Sequence, residues 1–317
     1  MKTLLLLASL MAGMTACRKG ASSPTDDKPG DRLSEQKTVN LSVDGYDRSF
    51  ILYLPLGWNN AGKMPMVYVI HGGSGTPEGM IRLADFRAIA DREKVVLVYP
   101  SGIEKNWNDG RPTTPNQMGV NDVGFFNRVC DYMIANHPVD GARIYATGIS
   151  NGGFMSSRLG CELGNRIAAF AVVAATMEAL TISPACNPAR PVPALYIHGT
   201  TDPLVPFTGG VMTAGGTAGG TILSHAQVVA RWVVLNRCNA TPAETDLPDI
   251  ASDGTTIRQR VYSGGANGSE VVSYVIQNGG HTWPQGYQYL PESVIGKTSL
   301  DMNGCEVIWA FCKRFRL

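Results

Sequence analysis

Charge is scarce in this 317-residue chain. Asp, Glu, Lys and Arg make up 17% of it, against about 25% in an average globular domain, and 27 Lys and Arg nearly cancel 26 Asp and Glu. Without a basic excess the chain lacks the electrostatic footprint of a nucleic-acid binder. It has no CxxC pair and no cysteine with a histidine at zinc-binding spacing. No Gly-Lys-Ser/Thr phosphate loop and no dinucleotide-binding fingerprint follows its first buried strand. No unit repeats at the roughly 20- to 50-residue period that marks solenoids and propellers. The N-terminal apolar run, Leu4 to Met14, falls short of the roughly 20 residues that a bilayer-spanning helix needs.

What is present begins with that short run. Met1-Lys2 gives it a positive start, and Met14-Thr15-Ala16-Cys17 ends it on small residues and a cysteine, the pattern of a cleavable export signal. Cys17 sits where a bacterial lipobox places its lipidated cysteine, with ordinary cleavage nearby as the alternative. Residues 1–17 are therefore expected to be a signal. Residues 18–38, rich in Ser, Pro, Gly, Asp and Lys, are expected to be a solvated tether, and 39–317 a single folded domain. Lipidation predicts a cell-envelope protein; ordinary cleavage predicts an extracellular one. Export favours disulfides among the other six cysteines, Cys130, Cys161, Cys186, Cys238, Cys305 and Cys312. Six cysteines allow fifteen full pairings. Cys161 with Cys186 is the preferred bridge because both flank one predicted helix-to-strand segment.

Hydrophobic residues are 44% of the chain, enough for a packed core. Val39 to Val43 and Ser49 to Leu54 alternate as a hairpin about Asp44-Gly45. Met66 to Ile70 is a continuous apolar run, as expected of a strand buried on both faces of a parallel sheet. A βα rhythm follows. Helices are expected over Met80 to Glu93, Val123 to Asn136, Asn151 to Leu163, Ala226 to Leu235 and Ser299 to Phe315. Strands are expected over Val95 to Tyr99, Arg143 to Thr147, Ile167 to Ala174, Ala194 to Ile197, Gln259 to Tyr262 and Glu270 to Ile276. The Gly-rich stretch Thr208 to Thr221 reads as a loop. The whole is a single α/β domain with helices on both faces of a mostly parallel sheet.

Four loops at strand ends carry chemistry. Gly148-Ile149-Ser150-Asn151-Gly152-Gly153 lies between a strand and a helix, where a sharp turn lifts the Ser150 hydroxyl above the sheet. The amide of Asn151, at the helix N-terminus, is set to stabilise an oxyanion. His198-Gly199-Thr200-Thr201-Asp202 follows the strand ending at Ile197, and Gly279-Gly280-His281-Thr282-Trp283-Pro284 follows the strand ending at Ile276. Ser150, Asp202 and His281 thus occur in the chain order of an α/β-hydrolase triad, each after a strand. His71-Gly72-Gly73-Ser74-Gly75 follows the first buried strand, where Gly73 is the leading candidate for the second oxyanion donor and Gly72 or Ser74 are alternatives. Trp107, Asn108 and Trp283 belong to loops expected to ring the same edge, where they either contact substrate or pack the loops. Asn121-Asp122 reads as a helix cap, and Trp232 and Trp309 as core.

Together His71-Gly72-Gly73, Trp107-Asn108, the Gly148 to Gly153 turn, His198-Gly199-Thr200 with Asp202, and His281-Thr282-Trp283-Pro284 resemble the secreted esterase family named for poly(3-hydroxybutyrate) depolymerases. That family includes feruloyl and acetylxylan esterases. The resemblance implies Ser150 as nucleophile, His281 as base and Asp202 as its orienting acid, with no metal and no organic cofactor. It further implies an ester-bearing polysaccharide, oligosaccharide or short polyester as the binding partner. A carbohydrate esterase acting on feruloyl or acetyl groups leads. A polyhydroxyalkanoate depolymerase is the alternative, and a non-catalytic glycan-binding surface lipoprotein is a more distant one.

Overall fold

The computed structural model describes residues 33–212 and 219–317. The export signal with Cys17, residues 18–32 of the tether, and residues 213–218 of the Gly-rich stretch lie outside the described residues. The strands are β1 (Glu35–Val43), β2 (Tyr46–Leu54), β3 (Met64–Ile70), β4 (Val96–Pro100), β5 (Val139–Ile149), β6 (Ala169–Val173), β7 (Ala194–Gly199), β8 (Gly210–Val211), β9 (Thr221–Ile222), β10 (Ala243–Asp246), β11 (Thr256–Tyr262) and β12 (Val271–Gln277). One sheet takes the order β1-β2-β4-β3-β5-β6-β7-β12-β11-β10, and β8 pairs with β9 separately. From β4 to β12 the neighbours run parallel; β1 and β2 at one end and β11 and β10 at the other are antiparallel.

Every residue of β3, β4, β6 and β7 is buried, and this is why these strands read as apolar runs instead of alternating. Alternate side chains enter opposite layers. Tyr68 and Ile70 pack with Phe126, Met155 and Trp232 on one face, while Val67 and Val69 pack with Met80, Ile89 and Ile308 on the other. Trp232 and Trp309 are both core residues. The hairpin turns at Asp44-Gly45 as expected, but β1 begins at Glu35, inside the segment assigned to the tether.

The single helix expected over Met80 to Glu93 is two, Pro77–Leu83 and Arg87–Glu93. Thr76 caps the first one, with Pro77 starting the helix earlier than its apolar periodicity begins. Ala84 then leaves helical geometry, and Asp85 accepts the Arg87 amide (3.0 Å) to start the second. Both bury Met80, Ile81, Ile89 and Ala90 in one layer, so the apolar pattern runs through the break. The last helix is Gly304–Cys312, shorter than expected, because the Asn303 side chain accepts from the Glu306 amide (3.0 Å) and caps it there. Cys161 and Cys186 form a disulfide, while Cys130, Cys238, Cys305 and Cys312 are free. The carboxyl ends of β3, β4, β5, β7 and β12 open on one edge of the sheet, the edge at which open α/β sheets place their ligands.

Candidate active site

Ser150 directly follows β5, and its N–H donates to the Val173 carbonyl at the end of β6 (3.0 Å). Its backbone sits at φ 55°, ψ −126°, a costly conformation for a residue with a side chain, and the helix Asn151–Glu162 starts one residue later. The turn is so tight that a side chain at Gly152 would run into the carbonyl oxygens of Ile70 and His71. Glycine there lets the helix start abut the end of β3.

The loops leaving β7 and β12 are stitched together. The Thr201 amide and hydroxyl both donate to the Gly279 carbonyl (3.0 and 2.9 Å), and Asn278 N–H donates to the Thr200 hydroxyl (3.0 Å). This stitching brings Asp202 beside His281, whose Nδ1 lies 2.8 Å from Asp202 Oδ2. A carboxylate can only accept, so Nδ1 carries the proton and Nε2 keeps its lone pair. The other carboxylate oxygen, Oδ1, accepts from the Leu204 and Val205 amides, both at 2.8 Å. Burial opposes the Asp202 charge. The His281 and His198 imidazoles nevertheless hold its carboxyl well below the usual carboxylate range.

The His71 to Gly75 loop packs against the Ser150 turn. Its reversal is closed by Gly75 N–H donating to Gly72 O (3.1 Å), with Ser74 at φ 58°. A side-chain carbon on Gly72 would lie 3.3 Å from Ser150 Cβ, and one on Gly73 would lie 3.8 Å from Asn151 Cβ, so the two backbones are in close approach. His71 is buried; its Nδ1 lies 2.7 Å from Gly72 O and its Nε2 accepts from Gly102 N–H (3.1 Å). These partners select one neutral tautomer, and burial pushes the imidazole pKa down to about 4.

The Asn151 side chain is fully engaged. Oδ1 accepts from Trp107 N–H (2.7 Å), while Nδ2 donates to Trp107 O (3.1 Å) and to Asp109 Oδ2 (2.6 Å). Asp109 is itself paired with Arg111, whose guanidinium lies over the Phe154 ring at 3.8 Å. The backbone amides of Gly73 and Asn151 donate to no acceptor among the described residues.

Ser150 and His281 line one cavity of about 350 Å³, together with Gly72, Gly73, Met80, Leu83, Ile149, Tyr287, Tyr289 and Leu290. Among the described residues no hydrogen bond joins Ser150 to His281, a contact that often tightens only when substrate is present. Tyr289 donates its hydroxyl to His281 O (2.8 Å), which braces the histidine from the cavity wall. Tyr287 is 47% exposed and stands at the mouth. Among the described residues no group of three His, Cys, Asp or Glu side chains is arranged to hold a metal ion.

The tryptophans expected at the rim are elsewhere. Trp107 is completely buried, with its indole N–H donated to His71 O (2.9 Å) and its ring against Phe126. Trp283 is 1% exposed and packs edge-on against Phe86. Asn108 donates to Val120 O (2.8 Å) and accepts from Arg158 (3.0 Å), so it ties the loop down without reaching the cavity. All three pack or tie down their loops, and none of them lines the cavity. Sequence reasoning missed the actual walls. Tyr287 and Tyr289 lie just beyond the Trp283-Pro284 motif, and their alternation within one loop was the available signal. As expected, Asn121 caps a helix by accepting from Gly124 N–H (2.8 Å). Its neighbour Asp122 adds a buried pair with Arg48 (2.7 Å).

No protein-family model matches the chain. It is 32% identical over 249 residues to a protein of Nocardia uniformis subsp. tsuyamanensis named "Putative esterase NocK", covering 75% of this chain and 71% of that one. It is 24% identical over 290 residues to feruloyl esterase D of Neurospora crassa, covering 88% of each. Two other relatives, a bifunctional acetylxylan esterase/xylanase of Neocallimastix patriciarum and feruloyl esterase B of Piromyces equi, are matched over only 24% and 42% of their lengths. Among solved structures, the acetyl xylan esterase from Aspergillus awamori shares the fold, with a TM-score of 0.58 over 87% of this chain and 99% of that one at 12% identity.

Proposed function

This chain belongs to the α/β-hydrolase esterase family of these relatives, as a serine carboxylic ester hydrolase, and on that premise we propose that it cleaves acyl esters of plant cell-wall carbohydrate through an acyl-enzyme on Ser150. Ser150 Oγ attacks the ester carbonyl while His281 Nε2 takes its proton. Asp202 fixes the imidazole tautomer and stabilises the imidazolium that forms. The amides of Gly73 and Asn151 receive the oxyanion, each such donor being worth about 3 kcal/mol of barrier. His281 then gives that proton to the departing sugar oxygen, which leaves as a hydroxyl, and water repeats the attack on the acyl-enzyme to release the acid.

The observation that carries this reading is the 2.8 Å contact of His281 Nδ1 with Asp202 on the wall of the cavity that Ser150 also lines. The cavity's size and walls favour an aromatic acyl group such as feruloyl over acetyl. An acetyl group would leave most of the roughly 350 Å³ unfilled, whereas Met80, Leu83 and Tyr287 suit a phenolic ring. The N-terminal sequence supports export ahead of the folded domain, whose first strand begins at Glu35, with Cys17 as a lipid anchor to the cell envelope. Unchanged membrane fractionation of Cys17→Ser would remove the anchor from this account.

The testing experiment measures release of acid from methyl ferulate, 4-nitrophenyl acetate, acetylated xylan and hydroxybutyrate oligomers by the wild type and Ser150→Ala. Ferulate release with the highest kcat/KM, abolished in Ser150→Ala, is expected. Preferential release of hydroxybutyrate would move the substrate to a polyester, and an active Ser150→Ala would refute the mechanism.

A further inference from the structure

His198 ends a buried strand behind Asp202 and takes no part in the chemistry above. It is 1% exposed, and its Nε2 lies 3.0 Å from Val205 O and 3.4 Å from Asp202 Oδ2. Both neighbours are acceptors, so Nε2 carries the ring proton. Nδ1 is then a bare lone pair, buried with no hydrogen-bond partner among the described residues, an arrangement that costs free energy. A phenyl ring would fill this space without that cost. What the imidazole adds is one N–H directed at the Asp202 loop.

That N–H closes a ring of contacts. Val205 donates its amide to Asp202 Oδ1 (2.8 Å), and its carbonyl faces the same His198 Nε2 that faces Asp202 Oδ2. Asp202 is thus gripped from behind by His198 and its own loop while it faces His281. The rings of Phe207 and His225, at 5.4 and 5.7 Å, wall His198 in, and His225 is fixed by its 2.7 Å contact with the Ser273 hydroxyl.

We infer that His198 is a positioning residue, which holds the Asp202 carboxylate in the orientation that His281 needs during turnover. The inference rests on the Ser150, His281 and Asp202 reading above. Its effect belongs to the step in which His281 becomes charged, so loss of His198 lowers kcat and leaves KM alone.

The test is a double-mutant cycle on 4-nitrophenyl acetate and methyl ferulate, using His198→Phe, Asp202→Asn and the double variant, with thermal melting of each. His198→Phe is expected to melt cooperatively and lose about tenfold in kcat with KM within about twofold. On the Asp202→Asn background the same change should cost nothing more. Gln reaches the Nε2 position with an N–H and Asn does not, so His198→Gln should recover most of the rate and His198→Asn should not. That contrast decides the matter if His198→Phe fails to fold. Equal rates for the Gln and Asn variants, a shift in KM instead of kcat, or the full tenfold loss repeated on Asp202→Asn would overturn the role of His198 alone. A wild-type rate for Asp202→Asn would instead overturn the reading of the triad beneath it.

Discussion

Acidification should weaken the fold through its buried histidines, and His71 gives the size of the effect. Its ring donates from Nδ1 to Gly72 O and accepts at Nε2 from Gly102 N–H. Protonation would set two N–H donors against each other at Nε2. An unfolded imidazole takes up its proton near 6.5, whereas the folded one resists until about 4. Between those values the unfolded state binds more protons, so stability is fully present above 6.5 and is lost as the pH falls, levelling off below 4. At 1.36 kcal/mol per pH unit the gap amounts to about 3 kcal/mol. Burial pushes His225 well below its ordinary range too, which adds loss of the same sign. Asp202, with its carboxyl depressed, contributes its own loss only below the ordinary carboxylate range. Urea unfolding of the wild type and His71→Gln, at several pH values from neutral down to about 4, measures the His71 share. The amide preserves a donor and an acceptor but does not titrate, so the acid-induced loss should shrink by about 3 kcal/mol in the variant. Identical pH dependence in the two proteins would refute the argument.

Three further outcomes follow from the geometry. Asn151→Ala strands the buried Trp107 N–H, whereas Trp107 O keeps the Thr113 hydroxyl and Asp109 Oδ2 keeps Arg111, so urea unfolding should show a loss of about 1–3 kcal/mol, and no measurable loss would contradict the network. Tyr287→Ala should raise KM for methyl ferulate about tenfold through lost ring contact while leaving 4-nitrophenyl acetate unaffected; equal changes for both would remove Tyr287 from the acyl site. Cys161→Ser opens a loop of 25 residues and should cost about 3 kcal/mol in denaturant unfolding without reducing kcat, whereas unchanged stability would show that the bridge adds nothing.

The parts of this molecule legible in sequence are those where sterics or burial leave few options. Met66 to Ile70, a short apolar run bounded by Gly, reads as a strand buried on both faces and is one, and Gly148 to Gly153 reads as a turn where carbonyl oxygens crowd Gly152. The emergence of Ser150, Asp202 and His281 at one sheet edge is legible because each follows a strand. The cavity wall is not, since Tyr287 and Tyr289 lie in a loop whose course is set by the Gln288 side chain binding Leu290 O, Gly296 O and Thr298. Trp107 misleads because a tryptophan in a loop suggests exposure. This loop instead turns inward, its backbone satisfied by Asn151, a long-range bond that no local pattern announces. Strand β10 escapes as well, being wholly exposed and polar; its pairing with β11 is accompanied by the Arg258–Asp246 and Arg260–Glu244 ion pairs.

The central claim is that Ser150 carries the acyl group during turnover. Acid-quenched reaction of the wild type with 4-nitrophenyl acetate, followed by proteolysis and mass spectrometry, tests it most directly. The account predicts the mass of one acyl group on the peptide containing Ser150 in the wild type and none in Ser150→Ala. An acyl group found on another residue, or full turnover by Ser150→Ala with no acylated peptide, would contradict it.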